Sequence, residues 1–117
     1  MLLAAETHPD LFSSVVATSP AIRPTCQAMM NDPRDAFDSP ADFAAHDVIG
    51  HAAHLAGTPL LVECGTADPF YPFARDLGAV LPGGAHYRFL PGGGHDYRSW
   101  RRFEPAALRF VARHFGD

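Results

Sequence analysis

The chain contains 117 residues, of which 47% are hydrophobic and 19% charged, and its formal net charge at pH 7 is −4. These proportions predict one small folded domain and exclude disordered, collagen-like and coiled-coil chains. The acidic balance excludes the basic surface of a nucleic-acid-binding protein, and no apolar run reaches the roughly 18 residues that span a membrane.

Cysteine content and the first residues restrict the class of protein further. Two cysteines, Cys26 and Cys64, are too few to build a disulfide scaffold. The first six residues, MLLAAE, carry no basic side chain, and their apolar run stops at Glu6, so they are not typical of a signal peptide. The sequence leaves open whether the protein acts in the cytoplasm or is secreted.

The first half of the chain predicts one helix, one strand and a long excursion. Residues 2–8 favour a short helix, and residues 14–19 (SVVATS) predict a buried strand because they are rich in β-branched side chains. Residues 21–55 are interrupted by prolines and predict a lid-like excursion from the sheet. We expect it to overhang the functional site that is identified below. Two short helices are expected within it, one beginning at Ser39 and one between residues 47 and 55.

The second half alternates strands and helices. Residues 59–64 (PLLVEC) form an almost continuous apolar run, which is typical of a strand covered on both faces. Residues 71–80 predict a helix, and residues 86–90 predict a third strand. A C-terminal helix follows, and Pro105 predicts that its regular part begins near Glu104. The predicted apolar face of that helix consists of Trp100, Phe103, Ala107 and Val111.

Strands that alternate with helices predict an α/β fold with a parallel sheet, in which chemistry lies beyond the carboxyl ends of the strands. Asp68 follows the second predicted strand by four residues, and His95 follows the third by five. Both side chains are therefore expected at the same end of the sheet, where a carboxylate can orient a general base. The alternative is that Asp68 only caps the next helix and His95 is a solvated loop residue.

Three stretches resemble one family of enzymes. Residues 8–20 are similar to the helix and strand that follow the nucleophile, residues 61–70 (LVECGTADPF) to the strand and loop that bear the acid, and residues 93–100 (GGHDYRSW) to the closing histidine segment. The family is the α/β-hydrolase esterases that include esterase D-like S-formylglutathione hydrolases, enterochelin esterases and secreted mycolyltransferases. The resemblance covers nearly the whole chain apart from the excursion.

This resemblance implies the C-terminal half of a single α/β-hydrolase domain that hydrolyses, or transfers the acyl group of, a small-molecule ester. It makes Asp68 the acid of a catalytic triad and His95 the general base, and it implies no metal and no organic cofactor. The sequence departs from the family because it contains no G-x-S-x-G nucleophile motif. That motif is expected shortly upstream of Met1, so the 117 residues alone are expected to lack turnover.

Other residues are weaker candidates for the nucleophile. Ser13 and Ser14 stand at the start of the first predicted strand, which is the wrong end of the sheet. Ser19 stands at the carboxyl end of that strand but lacks the strand-to-helix turn that builds an oxyanion hole. Cys64 lies in a buried strand, where a thiol is inert. Cys26 lies in the excursion, and nothing in the sequence pairs it with Cys64.

Two further patterns have simple structural explanations. His46, His51 and His54 fall within nine residues, but His46 is out of phase with the other two on a helix, so solvated histidines are favoured over a zinc site. Aromatic residues near the predicted site are expected either to shape an acyl or alcohol pocket or to pack in the core. They are Phe70, Tyr71, Phe73, Tyr97 and Trp100.

A second hypothesis is that the chain is an inactive remnant that binds or oligomerises. Three parallel strands without further neighbours leave the strand at residues 14–19 with a bare apolar edge. Such an edge is expected to recruit another copy or a separate N-terminal half.

Overall fold

The computed structural model describes residues 1–23, 25, 37–81 and 83–115. Cys26 and residues 27–36 of the predicted excursion lie outside this part of the chain. Within the described residues, two 3₁₀ helices are present, at Pro9–Leu11 and Ala52–Leu55. In chain order the other elements are α1 (Leu2–Thr7), β1 (Val15–Thr18), α2 (Pro40–Ala45), β2 (Leu60–Gly65), α3 (Tyr71–Val80), β3 (His86–Leu90) and α4 (Tyr97–Arg113).

The three strands form a parallel sheet in the order β1-β2-β3. Val15 pairs with Leu60 at the start of the β1–β2 ladder, and Cys64 pairs with Phe89 near the end of the β2–β3 ladder. All six residues of β2 are buried, as its continuous apolar run predicts. The parallel α/β architecture predicted from the sequence is therefore confirmed.

The helices cover both faces of the sheet. On one face Val62 and Cys64 of β2 pack in the same core cluster as Ala74 and Leu77 of α3, and α1 joins this cluster through Leu2 and Ala5. The opposite face is covered by α4, whose Phe103 is fully buried. Since β2 lies between these two layers, the loop after it is held firmly at the carboxyl end of the sheet.

Local signals account for most element boundaries. The observed ranges of α3 and β3 coincide with the predicted ones. Helix α2 begins after Ser39, whose Oγ accepts a hydrogen bond from the Asp42 N–H at 3.1 Å. The helix expected between residues 47 and 55 is reduced to the 3₁₀ helix at Ala52–Leu55.

The predicted start of the C-terminal helix was wrong. Helix α4 begins at Tyr97, because the Asp96 carboxylate accepts a hydrogen bond from the Ser99 N–H at 2.8 Å and caps the first turn. Pro105 lies inside the helix on its exposed side. Because proline has no N–H, the carbonyl group of Arg101 receives no helix hydrogen bond from it, and Arg101 is exposed to water.

The buried face of α4 also differs from the predicted one. Ser99, Phe103 and Phe110 are its buried residues, whereas Trp100 and Val111 each retain 37% exposure. The helix is thus turned relative to the prediction, and this rotation leaves the Trp100 side chain beside the carboxyl end of β1 rather than in the core.

Strand β1 forms one edge of the described sheet. Val16 and Thr18 are only half-buried, while Val15 and Ala17 face the core. No other described strand pairs with the outer side of β1. Across the described ranges, no helix combines the length and apolar character needed to cross a bilayer.

Candidate active site

The loops that follow β2 and β3 are joined by three hydrogen bonds. The Thr66 N–H donates to the Leu90 carbonyl group at 3.0 Å, and the Ala67 N–H donates to the Gly93 carbonyl group at 2.9 Å. In return, the Gly92 N–H donates to Thr66 Oγ1 at 2.9 Å. Backbone groups that would otherwise face water are therefore paired between the two loops, and the side chains that the loops carry are fixed relative to each other.

Glycines make this approach possible. A Cβ atom at Gly65 would collide with the carbonyl group of Gly93, so the two backbones come closer than any side chain allows. Gly92 has a φ of +68°, a left-handed conformation that costs other residues about 1–2 kcal/mol. The G-G-G run is what lets the chain turn back over the end of β2.

Asp68 and His95 meet where the two loops cross. His95 Nδ1 lies 2.9 Å from Asp68 Oδ2. Asp68 is buried, and its other oxygen, Oδ1, accepts the Phe70 N–H at 2.8 Å. The imidazole is 37% exposed and is thus accessible from outside. Asp68 Oδ1 therefore forms a turn ahead of α3 but does not cap it, because the N-cap residue of α3 is Phe70 and receives no side-chain cap. The prediction that Asp68 only caps this helix was wrong.

The bond to Asp68 determines what the imidazole can do. A carboxylate at Nδ1 favours the tautomer with its proton on Nδ1, which leaves Nε2 with a lone pair to accept a proton. No hydrogen bond within the described ranges uses His95 Nε2. A general base and its orienting acid would require an arrangement of this kind.

Two aromatic rings hold the imidazole from its sides. The Phe70 ring centroid is 5.2 Å from that of His95, and the Trp100 centroid is 5.1 Å away with the planes at 88°. Tyr71 instead packs edge-on against Phe89, and Tyr97 is 71% exposed. Phe73, the remaining predicted aromatic residue, packs against the core.

Ser19 and Cys64 lie near this pair but are occupied by structural contacts. Ser19 is buried, and its Oγ accepts the Trp100 Nε1–H at 3.1 Å. Burial, followed by the nearby Asp68 charge, raises the pKa of the Cys64 thiol to about 11, so the thiol is neutral at physiological pH. Among the described hydrogen bonds, none joins His95 to a serine hydroxyl.

Sequence reasoning missed two buried carboxylates. Glu63 of β2 accepts hydrogen bonds from Thr18 Oγ1 at 3.2 Å and from Arg88 at 3.4 Å. Burial raises the pKa of Glu63, and these two partners lower it in part. Glu6 is buried in α1, and neither of its carboxylate oxygens has a hydrogen-bond partner among the described residues. A single carboxylate inside each apolar run was the available signal for both.

The three neighbouring histidines have other contacts. His46 Nδ1 lies 3.1 Å from Asp42 Oδ1, and the rings of His51 and His54 stack with centroids 5.7 Å apart. Within the described ranges no group of three or more histidine, cysteine or acidic side chains is placed to hold a metal ion.

Comparison with known proteins gives the fold. No family model matches the sequence, and no curated protein matches it significantly. Solved structures do match. An S-formylglutathione hydrolase from Agrobacterium tumefaciens superposes with a TM-score of 0.74 at 20% identity, covering 98% of this chain and 45% of that one.

Two further structures give the same result. A ferulic acid esterase superposes with a TM-score of 0.69 at 21% identity over 98% of this chain and 47% of its own. An α/β-hydrolase enzyme from a sediment metagenome of the Mar Chica lagoon, Morocco, gives 0.62 at 16% identity over 97% and 57%. The chain therefore has an α/β-hydrolase fold, and it spans about half the length of the structures that it matches.

Proposed function

We propose that Asp68 and His95 are the acid and the general base of a serine-type carboxylic ester hydrolase or acyltransferase. The observation that carries this proposal is the bond between His95 Nδ1 and Asp68 Oδ2, formed by two strand-end loops that are hydrogen-bonded to each other. The nucleophile is a serine in a G-x-S-x-G turn that belongs to a segment preceding residue 1. The 117 residues are the C-terminal portion of the complete domain.

His95 moves the protons of the reaction. Its Nε2 takes the proton from the serine hydroxyl as the oxygen attacks the ester carbonyl carbon, which forms a tetrahedral intermediate. The C–O bond to the alcohol then breaks, and Nε2 returns the proton to the leaving oxygen. Water or a second alcohol repeats the sequence to release the acyl group. Asp68 stays ionised and stabilises the imidazolium at each step.

The substrate class follows from the surroundings of His95 and from the named neighbours. Phe70 and Trp100 flank the imidazole with apolar surface, which suits the acyl or alcohol part of a small-molecule ester. Two of the matched structures are named as an S-formylglutathione hydrolase and a ferulic acid esterase, and both names describe acyl-bond hydrolysis. The overhang of the excursion at residues 21–55 is likewise a proposal, and of its described residues Ala52 and Leu55 pack in the core cluster beside α1.

The test begins with the DNA upstream of the codon for Met1. An in-frame G-x-S-x-G motif shortly before it supplies the nucleophile, and the extended protein should then hydrolyse p-nitrophenyl esters and react with a fluorophosphonate probe. His95→Ala should abolish turnover, whereas His86→Ala, at an exposed histidine at the amino end of β3, should leave it unchanged. Wild-type turnover in the His95→Ala variant would overturn the proposal.

The uncovered edge of β1 favours a second candidate function, association without catalysis. Along Val16 and Thr18, the backbone groups that pair with no other described strand can accept a further strand from another copy or from a separate N-terminal half. A stop codon directly upstream of Met1 would favour this candidate. Size-exclusion chromatography over a range of concentrations should then show assembly, and a monomer at every concentration would contradict it.

A further inference from the structure

We propose that Trp100 and Ser19 position the imidazole of His95, with Ser19 anchoring the indole and the indole holding the ring. The catalytic purpose of this positioning rests on the proposed function. The contacts that carry the inference are formed by residues of this chain and do not depend on that function. No hydrogen bond in the described part of the chain joins either residue to the Asp68 carboxylate.

A single hydrogen bond leaves the imidazole free to tilt. The bond at Nδ1 fixes one atom of the ring, but rotation about that bond still moves Nε2. The Trp100 ring stands nearly perpendicular to the imidazole, at 88°, with centroids 5.1 Å apart. This edge-to-face contact, together with Phe70 at 5.2 Å, restricts the ring plane and hence the direction of Nε2.

The indole needs its own anchor because it is not enclosed by the core. Trp100 lies in the first turn of α4 and is 37% exposed, so packing alone does not set its orientation. Its Nε1–H donates to Ser19 Oγ at 3.1 Å, across 81 positions of the sequence. This bond ties the last helix of the described chain to the carboxyl end of its first strand.

The backbone of Ser19 adopts an energetically unfavourable conformation. Its φ is +48°, and no other non-glycine residue in the described ranges has a positive φ. A left-handed serine is unfavourable by about 1–2 kcal/mol, and such strain clusters at functional sites. Glycine would adopt this conformation freely but has no acceptor for the indole. The strain and the hydrogen bond therefore point to the same role for the hydroxyl group.

The contact can be measured without any enzyme activity because Trp100 is the only tryptophan in the chain. An imidazole in contact with an indole quenches its fluorescence. Emission of the purified 117-residue chain is compared with that of its His95→Gln variant. We expect the variant to emit more strongly because the ring that contacts the indole is removed, and we call this difference the His95-dependent step. His46→Gln should not change it. The His95→Gln variant also separates this signal from Glu104 and Arg101, which line the groove beside Trp100.

Two serine variants then test the anchor. Ser19→Gly removes the hydroxyl and relieves the backbone strain, so it should fold, and it should reduce the His95-dependent step and shift emission to longer wavelength. Ser19→Ala should reduce the step in the same way. A full His95-dependent step in both folded variants would overturn the inference, as would equal emission from the wild-type chain and the His95→Gln variant.

The same variants distinguish this inference from the proposed function. In the extended enzyme, Ser19→Gly should lower kcat about fivefold, the value of one neutral hydrogen bond, with KM unchanged. If kcat is unchanged in Ser19→Gly while His95→Ala is inactive, the positioning role of Trp100 and Ser19 is rejected. The role of His95 as general base is then retained. Active His95→Ala protein would reject the function, while the fluorescence step would still report on the contact.

Discussion

Two hexapeptides of nearly identical sequence lie at opposite ends of β3, and only the second contributes to the candidate active site. Residues 81–86 read LPGGAH and residues 90–95 read LPGGGH, so they differ at one position. The first leads into β3 at the amino end of the sheet, and the second leaves β3 at the carboxyl end. His86 is exposed and contacts only the Phe110 ring among the described aromatic contacts, whereas His95 is bonded to a buried carboxylate.

The glycines of the two hexapeptides differ in the same way. Gly83 and Gly84 have open space where a side chain would be, whereas Gly93 packs against Gly65 and Leu90. Local sequence thus builds a turn in both places, but only the second turn has a neighbouring loop to bind. A histidine becomes a candidate base through the partner that the parallel sheet brings to it, and composition alone does not distinguish the two cases.

The largest expected effect comes from exchanging the two histidines for glutamine in the extended enzyme. His95→Gln should lower kcat/KM by about 10⁴-fold or more, because it removes the group that accepts the serine proton. His86→Gln should have no effect on ester turnover, since that side chain lies at the other end of β3. Comparable losses in the two variants would refute the distinction between the hexapeptides.

The next effect concerns the glycines. Gly65→Ala places a methyl group against the backbone of Gly93, which cannot move without separating the loops, and should cost about 1–3 kcal/mol or more of stability. Gly83→Ala meets nothing and should be neutral or slightly stabilising. Urea unfolding followed by circular dichroism measures both. Equal stability of the two variants would show that the loops are not in close contact.

A smaller effect extends the comparison to carboxylates. Asp68 receives hydrogen bonds from the paired loops, whereas Glu6 receives none from the described part of the chain. Burial, followed by the Asp47 charge, raises the pKa of Glu6 to about 7. A pKa raised above its unfolded value of 4.5 means that the folded state binds the proton more tightly. The stability that this proton confers is complete below about pH 4.5 and is lost as the pH rises through about 7.

The variant that tests this is Glu6→Gln. It should be more stable than the wild-type chain at pH 8.5 by up to about 3 kcal/mol, and its stability should lose most of the pH dependence between pH 5 and 8.5. Urea unfolding at several pH values provides the measurement. Glu104→Gln, at an exposed glutamate of α4, is the matched control and should follow the wild-type curve.

Periodicity and turn chemistry predicted much of this fold. The apolar run of β2, the alternation in β3 and the glycine-rich breaks place Asp68 and His95 on adjacent strand ends, since parallel strands end at the same side of a sheet. The start of α4 could not be read in this way. Pro105 predicted that α4 begins near Glu104, but the Asp96 side chain caps an earlier first turn. The hydrogen bond that Pro105 cannot donate would go to the carbonyl group of Arg101, which is exposed.

Other parts of the site depend on contacts that no local pattern encodes. The collision at Gly65 requires a glycine 28 positions away, at Gly93, and the anchor of Trp100 lies 81 positions away at Ser19. Neither contact has a periodicity. The left-handed conformation of Ser19 could not be predicted from the sequence either, because serine has no preference for it. Long-range packing decided these features.

The most direct test of the central claim is a double-mutant cycle of Asp68→Asn and His95→Gln in the extended enzyme. If the two residues act as one unit, Asp68→Asn should lower kcat by about 10⁴-fold, and the double variant should be no slower than His95→Gln alone. Losses that multiply in the double variant would mean that the residues act independently, and the acid–base pair would then be contradicted.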